Sequence, residues 1–226
     1  MRRAVGLYQS SVGKKVLMAV TGFIWVGFLV GHMAGNLKAF LGAEHFNEYA
    51  HFLRVLGEPL LPAYGFLWTV RAIVALAFVT HVLLAWQTSR QSWAAREIGY
   101  RKQENLSFSW SSRFMRWGGV AILLFLVFHI LHMTTGTLHP DFIEGDAYHN
   151  LVTGLSVPWV AGIYLFAMLA VFAHLYHGVW SMFQTLGGAH PKYRELRRPL
   201  AVVAAFVVFL GFISVPVAVL AGILSQ

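Results

Sequence analysis

The chain has 226 residues, 58% of them hydrophobic and only 12% charged, with a net charge of +8. Soluble domains carry about 25% charged residues, and a soluble fold of this size needs a polar skin that this composition does not supply. Soluble enzymes, disordered chains and nucleic-acid binders are therefore disfavoured, and the absence of cysteine excludes disulfides, thiolate metal sites and an iron–sulfur cluster within the chain.

An apolar run of about 20 residues is long enough to cross a bilayer as a helix. Five such runs occur in chain order, at about 16–36, 64–88, 114–135, 158–183 and 200–224. The first is long for the apolar part of a cleaved signal peptide and lacks a convincing cleavage site. None alternates apolar and polar residues as a transmembrane barrel strand does. Between the first and second runs, the segment 43–56 (AEHFNEYAHFLRVL) places Phe46, Tyr49, Phe52, Leu53 and Leu56 at helical spacing. That pattern predicts a short helix lying flat in the membrane interface. The polar, basic segment 90–113 reads either as a solvated loop or as a platform for a soluble partner. Pro158 opens the fourth run, where a missing N–H costs little, and Pro216 predicts a kink in the fifth. The expected fold class is all-α: an integral membrane bundle of five transmembrane helices, forming a single domain over 1–226.

The connections give an orientation. Arg2, Arg3, Lys14 and Lys15 precede the first span. Arg90, Arg96, Arg101, Lys102, Arg113 and Arg116 lie around the second connection, and Lys192, Arg194, Arg197 and Arg198 lie before the fifth span. These are 14 of the 17 basic residues. Lys38 and Arg54 fall on the other side, with Arg71 just inside the second span. The positive-inside rule then puts the N-terminus in the cytoplasm and the C-terminus outside. The basic surplus is mostly a topology signal.

What composition leaves to explain is 11 histidines. Ionisable residues inside spans are costly and usually functional, and a lone one is as well explained by a hydrogen bond between helices. Here the first four spans each carry at least one: His32, His81, His129 with His132, and His174 with His177. One per span lies about 15–17 residues from the span's N-terminal end. His32 and His129 therefore share a level near the outer face, and His81 and His174 a level near the inner face, on the order of 15 Å apart. Paired levels on alternating helices fit two stacked b-type haems, each clamped by two histidines from diagonal helices. A proton wire does not require paired levels, and zinc prefers its ligands clustered at one. Gly27, Gly31 and Gly35 put small residues beside His32, for a close approach of either a porphyrin or a helix. Spacing cannot choose within the i,i+3 pairs His129/His132 and His174/His177, whose depths differ by only about 4.5 Å.

The strings LVGHMAGN around His32, FNEYAHFLR in the first outer connection, LVFHIL around His129 and AHLYHGVWSMFQTLG around His174 carry a family resemblance. Together, in order and spacing, the sequence resembles the five-helix, two-haem cytochrome b anchor subunits of bacterial succinate dehydrogenases and fumarate reductases. The resemblance implies His32 and His129 as ligands of the outer haem iron, and His81 and His174 as ligands of the inner one. It selects His174 over His177 through the H-x-x-x-G spacing to Gly178, and His129 over His132 through the residues before it. It also implies a flavoprotein subunit with FAD and an iron–sulfur subunit on the cytoplasmic face. Quinone, of the menaquinone type, would exchange electrons with the haems. Some fumarate-reducing relatives carry a glutamate two residues before the fourth-span ligand. Phe172 stands there in this chain, which puts a proton path by that route in doubt.

The leading functional reading is thus the membrane anchor and electron-transfer subunit of a succinate:quinone oxidoreductase, with the dicarboxylate chemistry on a partner. The alternatives are a b-type cytochrome of a hydrogenase or formate dehydrogenase, and a histidine-relay transporter or channel without haem. A quinone site is expected at the outer end near His51, Arg54 and Glu58, because quinone reduction needs protons at the carbonyl oxygens. Ser10, Ser11 and Arg116 mark a second candidate at the inner end.

Overall fold

The computed structural model describes residues 10–94, 110–187 and 195–226, with side chains from 115 onward in the second stretch. Arg2, Arg3, Arg96, Arg101, Lys102, Lys192, Arg194 and most of the expected 90–113 platform lie outside the described residues, as does the side chain of Arg113. The described residues form seven α-helices and one 3-10 turn. The helices are α1 (Ser11–Leu37), α2 (Ala43–Val55), α3 (Gly65–Ala94), α4 (Trp110–Met133), α5 (Ala147–Ser156), α6 (Pro158–Thr185) and α7 (Arg197–Leu220). The 3-10 turn, Lys38–Leu41, joins α1 to α2. Five of them, α1, α3, α4, α6 and α7, are long and apolar enough to cross a membrane. The chain is a multi-pass membrane protein.

Local chemistry sets the boundaries. Ser10 caps α1, its hydroxyl accepting the Gly13 N–H at 2.9 Å. Gly42, at φ 96°, turns the chain out of the 3-10 segment and into α2 in a conformation that favours glycine. Pro158 occupies the first turn of α6 as expected. Pro216 lies inside α7.

The packing is what a membrane demands. Lipid tails are as apolar as leucine, so helices associate through close packing of small side chains more than through exclusion of water. Ala201 and Ala205, both fully buried, with Val208, form the stripe of α7 that meets Leu175 and Val179 of α6 and Met33 of α1. Large apolar side chains such as Leu76, Leu124 and Phe166 remain exposed. The closest contacts run α6 on α7, α4 on α6 and α1 on α3, with α1 also against α6 and α7. Arg116 of α4 lies over the Trp93 ring of α3, a cation–π contact of 5.2 Å. Helices α1 and α4 are thus on one diagonal of a four-helix ring, and α3 and α6 on the other. Helix α7 buttresses the ring from outside.

The two ends of the bundle differ. One carries Ser10–Lys15, Arg116 and Arg197 and is the basic end. At the other, α2 and α5 pack together as a cap. Asn47 of α2 joins them with both halves of its amide: Nδ2 donates to Asp146 Oδ1 at 2.9 Å and Oδ1 accepts the Tyr148 N–H at 2.9 Å. Phe46, Tyr148, Val152 and Leu155 fill the space beneath, against Val160 and Tyr164 of α6 and Val215 and Val219 of α7. The last residues close the cap, where Tyr148 donates to the Ser225 carbonyl and Gln226 bonds to Thr153. Asp146 caps α5 by accepting the His149 N–H at 2.9 Å. That hydrogen bond, helped by the Asn47 amide, holds its carboxyl below the usual range for an aspartate.

Candidate functional site

Each of α1, α3, α4 and α6 brings one histidine to face another across the ring. The His32 and His129 rings have centroids 5.9 Å apart, and the His81 and His174 rings 6.3 Å. The pairs therefore join the diagonal helices. They also lie at different heights. His81 touches α1 at Met18 and Thr21, and His32 lies eleven residues beyond Thr21, about 16 Å along the helix. On α4, Gly119 is the residue beside His174, and His129 lies ten residues further, about 15 Å away.

The pair nearer the basic end is anchored by main chain. His81 Nδ1 is 3.1 Å from the Met18 carbonyl oxygen and 3.1 Å from Thr21 Oγ1. A carbonyl can only accept, so Nδ1 carries the proton and Nε2 keeps its lone pair. The Thr21 hydroxyl already donates to the carbonyls of Leu17 and Met18 at 3.0 Å each, so its oxygen also accepts from His81. Gly22 lies beside this ring, where a Cβ would make ordinary contact with His81 Cε1 at 3.5 Å. His174 Nδ1 is buried with no hydrogen-bond partner among the described residues.

Side chains anchor the pair nearer the cap. His32 stacks on Phe28 at 5.5 Å and packs against Phe212 at 5.7 Å. His129 Nδ1 lies 3.1 Å from the Tyr164 hydroxyl, and so does His132 Nδ1. His132 is fully buried, with its Nε2 unpartnered among the described residues. An unmade buried hydrogen bond of this kind costs about 1–3 kcal/mol. The His132 ring sits 4.9 Å from that of His139, and both rest on Gly154, where a Cβ would come within 2.6 Å of His132 and 2.7 Å of His139. The structure thus separates the members of each i,i+3 pair. His129 faces His32 while His132 faces His139, and His174 faces His81 while His177 packs on Trp180 at 5.8 Å.

The four facing histidines suit a metal held between two imidazoles. With metal–nitrogen bonds of about 2 Å, the ring centroids fall roughly 6 Å apart, as both pairs do. A hydrogen bond from the far nitrogen is the usual means of fixing such a ligand's tautomer and plane; His81 has one to the Met18 carbonyl, and His129 Nδ1 has the Tyr164 hydroxyl at bonding distance. Two imidazoles per level suit an iron porphyrin with both axial positions filled. A bare ion is less well served, for no group of three or more His, Cys, Asp or Glu gathers among the described residues.

Other expected residues are distributed differently. His51 and Glu58 are exposed and Arg54 is half-buried, at the capped end, where the Arg54 carbonyl accepts the Tyr64 N–H. Ser10 is engaged as a helix cap and Arg116 lies over Trp93. Gly35 seats the Tyr49 ring, at 3.0 Å from a Cβ there, whereas Gly27 and Gly31 meet nothing within 4 Å. Phe172 packs on Phe206 and Phe209 of α7. Sequence reasoning passed over Thr21, Tyr164, His139 and Gly154. The available signal was that Thr21 and Tyr164 bring hydroxyls to membrane depth, where each requires a partner.

The sequence itself is similar to known proteins. An alignment of 176 residues, covering 76% of this chain and 78% of the other, is 27% identical to the succinate dehydrogenase cytochrome b558 subunit of Bacillus subtilis. No solved structure gives a significant match. Residues 100–213, which include α4, α5, α6 and most of α7, match the family described as succinate dehydrogenase/fumarate reductase transmembrane subunit. The chain belongs to that family.

Proposed function

We propose that the chain, acting as one transmembrane cytochrome b unit over 1–226, relays electrons between an iron–sulfur subunit and a quinone. His32 and His129 would hold one b haem and His81 and His174 a second. The observation that carries this reading is the pair of histidine-to-histidine spacings, 5.9 and 6.3 Å, on the two diagonals of the ring. Haem held by two imidazoles supplies a one-electron couple with no open coordination position. The chain's own part is to hold the ligand rings. Met18 and Thr21 orient His81, and Tyr164 orients His129.

In this reading the basic end faces the cytoplasm of the cell membrane, and the C-terminus lies outside. An iron–sulfur subunit docks at the basic end and carries electrons from a flavoprotein subunit with FAD, where the dicarboxylate reacts. Menaquinone is the proposed quinone, met at the capped end by His51, Arg54 and Glu58. The family match and the cytochrome name of the relative support the first of the three functional readings over the other two.

A pyridine haemochrome assay on the purified complex tests the core of the proposal. Two haems b per chain, with a flavoprotein subunit copurifying, is the expected result, and haem-free protein overturns it. Glu58→Gln is expected to abolish quinone-linked turnover while haem content and succinate–dye activity persist. Normal quinone turnover in that variant removes Glu58 from the quinone site.

A further inference from the structure

Tyr164 stands where two histidines of α4 meet α6. Its hydroxyl oxygen is 3.1 Å from Nδ1 of His129 and 3.1 Å from Nδ1 of His132. A phenol has one proton to donate and lone pairs to accept with. If both histidines donated to it, its own buried O–H would have no acceptor among the partners described. The two bonds must therefore run in opposite senses.

The ligand role proposed above sets their direction. A neutral imidazole that gives one nitrogen to a metal keeps its proton on the other. With Nε2 of His129 given to iron, its Nδ1–H donates to Tyr164, and the Tyr164 O–H donates to Nδ1 of His132. His132 then accepts through Nδ1 and carries its own proton on Nε2, the nitrogen without a partner among the described residues. His139 offers it no alternative, because His139 Nδ1 accepts the Asp141 N–H at 3.1 Å and its Nε2–H donates to the Asn150 carbonyl at 2.8 Å. The His132 ring is also held in place, beside His139 and against the bare backbone of Gly154.

We propose that Tyr164 is a positioning residue for His129, and that His132 acts through it. This inference rests on the haem-ligand reading. The hydroxyl fixes the tautomer and plane of the His129 ring. His132, by taking the phenol proton, makes the phenol oxygen a stronger acceptor, since hydrogen bonds in a chain polarise one another. A ligand imidazole that donates such a bond is more basic, which favours the oxidised metal. The second histidine of the i,i+3 pair is then a tuning element two hydrogen bonds from the metal.

The test is a redox titration of membranes containing the assembled complex. Tyr164→Phe is expected to keep both haems while one midpoint potential moves positive and the other stays. The low-spin electron paramagnetic resonance signal of the shifted haem changes shape as its ligand ring reorients. His132→Leu moves the same potential in the same direction by less. His132→Asn, whose amide oxygen can stand in for Nδ1, restores it. Two unmoved potentials at full haem content, or an equal shift of both, overturns the positioning role. If Tyr164→Phe fails to assemble, the His132→Leu and His132→Asn pair decides the matter alone, and equal potentials in the two overturn the proposal. Loss of a haem in His132→Leu with both retained in His129→Ala overturns the ligand reading instead.

Discussion

The two histidine pairs use the same residue type at nearly the same spacing, yet they are anchored by different materials. His81 donates to the Met18 carbonyl, a group that no side-chain substitution removes. His129 leans on the Tyr164 hydroxyl, which is shared with His132. At the level nearer the basic end, the tautomer of the proposed ligand His81 is therefore built into the backbone of α1. At the level nearer the cap, single substitutions can retune that of His129. A membrane interior offers few polar groups, so the choice between a carbonyl and a hydroxyl decides which site evolution can adjust.

The comparison is broken most severely by removing the rings. His32→Ala or His129→Ala is expected to eliminate the haem at the capped level, and His81→Ala or His174→Ala the one at the other level, or to block assembly. His177→Ala keeps both. Haemochrome quantification of each variant reads this directly, and loss of haem in His177→Ala with retention in His174→Ala reverses that assignment. Gly154→Ala comes next. Its methyl group would press on His132 and His139, an overpacking worth about 1–3 kcal/mol. Thermal unfolding followed by haem absorbance should show the capped level lost at lower temperature, with the other level following later.

Smaller effects sharpen the contrast. Asp146→Ala removes the cap of α5 and is expected to cost about 1 kcal/mol. The pH dependence follows from the lowered Asp146 carboxyl. A depressed folded value means that the unfolded chain takes up the proton first, so the stabilisation is complete above the unfolded value of about 4 and fades as pH falls through the folded one. Protection of the α5 amides from hydrogen exchange, taken relative to the intrinsic rate at each pH, should fall at acid pH in the native chain and be flat over that range in Asp146→Asn. Smallest of all is Thr21→Val. The Met18 carbonyl still holds His81, so both haems stay and stability falls by under about 1.5 kcal/mol. A lost haem in Thr21→Val would show that the carbonyl alone is insufficient.

Much of this molecule is written in its apolar runs. The expected spans end within several residues of the helices observed, and the segment expected at 43–56 is helical at Ala43–Val55. Helix α5 escaped notice because it is ten residues long and carries His149 and Asn150, too short and too polar to read as a buried run. Its cap, Asp146, was the legible clue. The paired histidine levels follow from helical rise alone. Which histidine of each i,i+3 pair faces inward does not, since rotation about the helix axis depends on neighbours such as Gly154 that lie far away in sequence. Tyr164 reads in the sequence as one more aromatic residue in an apolar span; only its place between two rings gives its hydroxyl a meaning.

The close packing also divides the ring into halves, α1 with α3 and α4 with α6. The first half carries His32 and His81, and the second His129 and His174. Each half thus holds one proposed ligand for each level and completes neither. During synthesis the first half leaves the ribosome with two single, unpaired histidines and cannot clamp a planar group from both sides. Only the arrival of the second half makes either site. Under the proposed haem ligation, cofactor loading would wait for the second half, and a truncated chain would stay electrochemically silent rather than become a stray electron leak in the membrane.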